Sequence, residues 1–169
     1  MGSTRTTHEF RRVLGLLPTG VVVVTGIVDG APCGMALNSF TSVSLDPPLV
    51  SFCVARTSGT WPRLRRAQRV AVSVLSAGHE EVCRRFATPG ADRFAGLVTH
   101  PAPGGAPVLA GAVAWLDGRP SAVHPAGDHD LVLVEVLALG RGDRPGQEAA
   151  DPPGPLVFHA GRYLGLGAA

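Results

Sequence analysis

GMALNSFTSVSLDPPLVSFCV, residues 34–54, reads as two β-strands hinged on a double proline. Its first part closes a strand expected from about Pro32 to Phe40. Its last part, Leu49–Val54, is a β-branched and aromatic run that suits a buried strand. Asp46-Pro47-Pro48 is a rigid break, because two prolines cannot sit inside a central strand. Immediately upstream lies another β-branched run, Val21–Ile27. Asp29-Gly30 separates that run from Pro32 and is a hairpin-turn signal.

The pattern continues in both directions. Phe10, Val13, Leu14 and Leu17 recur at helical spacing opposite Arg11 and Arg12, which predicts a short helix ended by Pro18. Beyond the hinge, Thr57-Ser58-Gly59-Thr60 is a polar loop. Thr60 is placed to cap a helix over Pro62–Ala67, with proline in its favoured first turn. Val70–Leu75 is a strand and Gly78–Ala87 a helix with Val82 and Phe86 on one face. Thr88–Ala106 is loop-rich. Val108–Leu116, Leu131–Leu139 and Leu156–Phe158 are later strands, and Gly142–Pro155 is a Gly/Pro/acidic linker. Six or seven strands against two or three short helices predict a mainly β, antiparallel barrel with helical decoration. No strand leads into GxGxxG and a helix, so a dinucleotide handled here is handled without a Rossmann fingerprint.

Composition narrows the chemistry. The chain has 169 residues, 45% hydrophobic and 17% charged, which suits one globular domain over 1–169 with its core at about 10–165. All fifteen basic residues are arginine, so lysine Schiff-base catalysis and a P-loop lysine are excluded. A net charge of +2 gives no support for a nucleic-acid partner. Arg63, Arg65, Arg66 and Arg69 read as a solvated helix face. Cys33, Cys53 and Cys83 form no CxxC pair, which argues for free thiols in a reducing compartment. With no signal peptide and no apolar run of membrane-spanning length, the expected location is the cytoplasm, with no membrane partner. His79 and Cys83 share a helix face but lack a third ligand, so no metal is expected.

Two segments carry candidate chemistry. Alternating apolar residues over Met35–Ser42, with Asn38, Ser39 and Thr41 as polar groups, suit a planar apolar ring with a hydrogen-bonding edge. They equally suit an ordinary strand with a polar end. Arg56, Ser58 and Thr60 share a short loop before a predicted helix start, a natural place for phosphate, or else a solvated turn. Arg93 offers a second cation.

Five segments then fall in one order: PTGVVVVTG (18–26), GMALNSFTSVSLDPPLVSFCV (34–54), RTSGTWPRL (56–64), DRFAG (92–96) and GDHDLVLVEV (127–136), closed by HAGRY (159–163). Together they resemble the flavin reductase-like family over about Phe10–Tyr163. That resemblance implies an FMN-binding split β-barrel, Greek-key-like, usually a homodimer. It implies hydride transfer from NADH or NADPH to FAD or FMN, with reduced flavin released to a separate flavin-dependent monooxygenase. It also implies flavin contacts from Met35, Ala36, Leu37, Asn38, Ser39, Cys53 and Ala55, and a phosphate loop at Arg56, Ser58 and Thr60 supported by Arg93 and Phe94. His129 is implied as the catalytic-site histidine that orients the dinucleotide. Arg162 and Tyr163 are expected to close the nicotinamide side, with Pro18 and Thr19 bordering the space. Two departures stand out: Val134 replaces a common glycine, and Ala36 a common threonine. A flavin carrier or sensor without turnover, and an oxidase on a related barrel, are the alternative readings.

Overall fold

Strand β2 (Val22–Val28) is a near-continuous valine run because both its faces are covered. Val22 and Val24 enter one core cluster. Val21, just before the strand, and Val23 enter another. Strands buried on both sides lose the apolar–polar alternation. The computed structural model describes residues 4–147 and 153–166. Helix α1 (Thr4–Leu14) and the two-residue strand β1 (Thr19–Gly20) precede β2, and β3 (Ala31–Leu37) returns from it. The β2–β3 turn has φ of +54° at Asp29 and +73° at Gly30. Positive φ at both central residues is the turn that Asp-Gly favours.

From β3 the chain crosses to β4 (Thr41–Leu45), then turns at Asp46-Pro47, a cis peptide, into β5 (Pro48–Ala55). There follow α2 (Trp61–Leu64), β6 (Val70–Val74), a 3-10 turn (Ala77–His79), α3 (Glu80–Ala87), β7 (Thr99–Pro101) and β8 (Pro107–Leu109). The long hairpin β9 (Ala114–Ala126) and β10 (His129–Arg141) comes next, then β11 (Leu156–His159) and β12 (Arg162–Gly165). The main antiparallel sheet has the order β3-β2-β6-β9-β10-β5-β4. Its edges, β3 and β4, are consecutive in sequence but lie at opposite ends of that order. The ladder is not closed between them. Instead, Ser39 in the crossing Oγ-donates to the Cys53 carbonyl at 2.9 Å and accepts from the Cys53 amide at 3.0 Å. One hydroxyl thus stitches the crossing to β5.

The first core lies inside the curved sheet, with Phe52, Trp61, Leu64 and Val132. The second lies under α3, with Leu75, Cys83, Phe86 and Leu156. Several boundaries differ from those expected. The first helix starts earlier, at Thr4, and its apolar face is uncovered: Phe10, Val13 and Leu14 are exposed. The second is one turn, Trp61–Leu64, with Thr60 at its N-cap position as expected, but the Thr60 side chain makes no capping bond. Ser58 Oγ accepts from the amides of Thr60 (3.3 Å) and Trp61 (3.2 Å). The single strand expected over Val108–Leu116 is two strands: β8 ends at Leu109, and β9 starts at Ala114 and runs on to Ala126 because β10 pairs along it. Part of the Gly142–Pro155 linker lies outside the described residues.

Candidate active site

Strand β3 has β2 on one side only. The Gly34 carbonyl is engaged by Arg93 Nη1 at 2.7 Å, so it points to the free edge. Backbone direction alternates along an antiparallel strand, so the Ala36 amide and carbonyl face the same way. Beside this edge lies a cleft of about 400 Å³. Its floor is Met35, Ala36 and Leu37; Asn38 and Ser39 close one end; Cys53, Val54 and Ala55 form the β5 wall. Ser58, His129, Cys83, Phe158 and Tyr163 complete it. Apolar walls around an edge of unpaired backbone donors and acceptors fit a flavin ring, whose flat body is apolar and whose pyrimidine rim hydrogen-bonds.

His129 begins β10 and pairs in register with Ala55 of β5 and Ala126 of β9. Its Nδ1 lies 2.6 Å from Asp128 Oδ1. That bond with His129, and its charge, hold the Asp128 carboxyl below the usual range. The ionised carboxylate accepts Nδ1–H and leaves Nε2 to a ligand. Opposite stands Tyr163, 5.2 Å from the Phe158 ring, with Arg84 5.0 Å above its own ring centroid. The Cys83 thiol donates to the Tyr163 hydroxyl at 3.3 Å. Burial raises the Cys83 thiol and pushes the Tyr163 phenol up to about 12.

A second cleft, about 660 Å³, opens from the first. Both are lined by Met35, Ala36, Ser58 and Ala87. Thr60, Arg63, Arg93 and Phe94 line the second alone. Arg93 also donates to Thr60 Oγ1 and, at 3.4 Å, to the Thr88 carbonyl. Burial lowers its guanidinium from the ordinary value.

The family profile described as "Flavin reductase like domain" matches residues 14–167. The chain belongs to the flavin reductase-like family. Over 160 residues it is 43% identical to a flavin reductase of Pseudomonas putida, covering 94% of this chain and 89% of that one. Over 161 residues it is 38% identical to the reductase subunit of a flavin-dependent monooxygenase of Rhodococcus jostii, covering 94% and 77%. A solved Streptomyces globisporus NADH:FAD oxidoreductase, in complex with NAD and FAD fragments, matches with a TM-score of 0.84 and 38% identity, over 99% and 96% of the two chains. The architecture is the split barrel of flavin reductases.

Within this flavin reductase-like chain, the two clefts gather most of the residues singled out from sequence. Arg56 and Arg162 line neither cleft. Arg56 Nε donates to Asp130 Oδ1 at 3.0 Å, and Arg162 is exposed. Asp130 also accepts from Trp61 Nε1 at 3.3 Å. Its carboxyl is lowered, chiefly by the Arg56 bond. Arg56 therefore ties the 56–60 loop to β10 instead of facing a cleft. The loop amides of Thr60 and Trp61 are already taken by Ser58. Pro18 and Thr19 also line neither cleft, though Thr19 pairs with Phe158, which does. Val134 lies in the first core, not in a cleft. Sequence reading missed Asp128 and Asp130, although both flank His129 in GDHD. Arg63, expected on a solvated helix face, is exposed and also lines the second cleft.

Proposed function

We propose that this protein is an NAD(P)H:flavin oxidoreductase whose flavin ring lies in the cleft between β3 and the β5–β10 pair. The observation that carries the reading is the free edge of β3 facing an apolar cleft with His129 at its rim. When bound, the flavin supplies two-electron chemistry: it takes a hydride from the nicotinamide and a proton from solvent, leaving NAD(P)⁺ and reduced flavin. The chain's own work is positional. Hydride transfer needs two stacked rings, a short distance and little water rather than a strong acid or base. Met35, Leu37 and Val54 exclude water from the ring, and the β3 backbone with Asn38 fixes its edge. His129, held by Asp128, orients the dinucleotide, and Tyr163 with Phe158 borders the far side.

The remaining assignments follow from that reading. A single flavin reductase-like domain carries the activity, and reduced flavin passes to a separate flavin-dependent monooxygenase. The uncovered apolar side chains of α1 support a homodimer, since exposed patches of this kind mark interaction surfaces. The setting is the cytoplasm, in keeping with three free cysteines. Among the described residues, no helix is long and apolar enough to cross a membrane.

The test is a matrix of NADH and NADPH against FMN, FAD and riboflavin with the purified protein, followed by loss of nicotinamide absorbance. Flavin-dependent oxidation is expected. Oxidation in none of the six combinations would sink the proposal.

A further inference from the structure

The loop between β5 and α2 closes on one carboxylate at both ends. Arg56, the residue after β5, donates from Nε to Asp130 Oδ1 at 3.0 Å. Trp61, the first residue of α2, donates from Nε1 to Asp130 Oδ2 at 3.3 Å. Each oxygen of Asp130 thus takes one end of the loop.

Both ends rest on rigid surroundings. The Arg56 amide donates to the Asp128 carbonyl at 3.0 Å, and the Ser58 amide to the Ala55 carbonyl at 2.9 Å. Asp130 itself sits in the β10 ladder opposite Val54 of β5. At the other end Trp61 is buried, and its ring meets Phe52 edge-on, with centroids 6.1 Å apart and planes at 88°. Ser58 stands between the two anchors and lines both clefts. Its hydroxyl is spent on the amides of Thr60 and Trp61. Where Ser58 lies therefore depends on Trp61, and through Trp61 on Asp130.

Neither Arg56 nor Asp130 lines a cleft. The Asp130 side chain is 16% exposed and that of Arg56 47%. The Arg56 bond chiefly holds the Asp130 carboxyl below its usual range, so it is ionised at neutral pH. An ionised carboxylate holds a guanidinium and an indole N–H at once, by bonds stronger than those between neutral groups.

Resting on the flavin assignment above, we infer that Asp130 is a positioning residue for flavin binding: it clamps the loop from Arg56 to Trp61 at both ends and so sets Ser58 at the junction of the two clefts, with Arg56 as its partner rather than as a contact to the ligand. Asp130 follows His129 directly, so the start of β10 fixes the loop wall and the histidine wall of the ring cleft together.

The two roles open to Arg56 give opposite signs. A guanidinium released from Asp130 to meet the flavin phosphate would tighten FMN relative to riboflavin, which has no phosphate. A lost clamp loosens both.

Flavin binding to the full-length protein is read by quenching of flavin fluorescence, which needs no turnover. Asp130→Asn is expected to weaken FMN and riboflavin alike by about fivefold, the loss expected for one partly exposed hydrogen bond. Arg56→Gln, at a half-exposed position, should do the same. Their double variant should be no weaker than the weaker single, because both act through one contact. Asp130→Ala should be weaker than Asp130→Asn, since an asparagine oxygen still accepts from Trp61 and alanine frees both ends. In turnover, the flavin KM of these variants should rise by more than kcat falls. Tighter FMN binding in Asp130→Asn overturns the inference and makes Arg56 a phosphate contact. Single effects that add in the double variant also overturn it, as does unchanged binding in both singles. A protein that shows these losses in flavin binding but oxidises no NADH keeps this inference and loses the reductase reading.

Discussion

Tyr163 is the chain's single tyrosine, and there is no lysine. In an alkaline titration the phenolate signal therefore belongs to one residue, with no lysine changing charge around it. Burial against Phe158 and Cys83 pushes the phenol up to about 12, from an ordinary value of 10.0. The folded value lies above the unfolded one. The stability it carries is thus complete below about 10 and falls as pH rises from there toward about 12. Phenolate absorbance is expected to appear at about 12, or abruptly with unfolding if that comes first. A phenolate formed near 10 in protein that is still folded is the contrary result. Saturating flavin should delay the signal further, since the ring cleft is lined by Tyr163. The residue was legible as part of HAGRY. Its sulfur and cation contacts were not, because Cys83 and Arg84 lie about eighty positions away in sequence.

Strands whose burial is local were legible; strands made by distant partners were not. β2 is visible in VVVV, and its turn in Asp-Gly. β4 escaped because Thr41–Leu45 is mostly exposed and follows polar residues. β9 was cut short because Asp117-Gly118-Arg119-Pro120 looks like a turn. There Asp117 is fully buried, its carboxylate taken by Arg69 and by the Gly104 amide at 2.7 Å. Gly118 answers Val134. The β9–β10 register shifts between Leu133 and Val134, and a bulge bends the strand that carries it. A Cβ on Gly118 would sit 2.6 Å from Val134 Cγ1 and 2.6 Å from the Glu135 carbonyl. The large residue at 134 is accommodated by the absence of one at 118, in the core rather than in a cleft. Gly118→Ala is expected to destabilise by about 1–3 kcal/mol, read as a lower urea midpoint at unchanged slope. Adding Val134→Gly should recover only part of the loss, since the Glu135 carbonyl remains. A neutral Gly118→Ala would mean the two strands are looser than their register indicates.

The candidate site depends on three strands from opposite ends of the sheet order, so it is a property of the whole molecule. So is the face that α1 leaves uncovered. Phe10 is 64% exposed and Leu17 66%, and Leu45 on β4 is 90% exposed. Covering a side chain of this size contributes about 1.5–3 kcal/mol, and a stable interface needs about 800 Å² from each partner. The helix is not adrift: the Gly15 carbonyl accepts from the Ala160 amide at 2.7 Å, in the turn leading to Tyr163. At the other rim, Arg11 is among the charges lowering Asp128, beside His129. The chain just after α1 is therefore tied to the turn that leads into Tyr163 at one rim of the ring cleft. Light scattering is expected to give twice the 17.4 kDa chain mass. Phe10→Asp combined with Leu14→Asp should return it to one chain mass. The same variant should raise the flavin KM while its far-ultraviolet circular dichroism stays that of a folded β protein. A wild-type protein that scatters as a single chain would remove the homodimer from the reading. A monomeric variant with unchanged flavin KM would keep the dimer and separate it from the site.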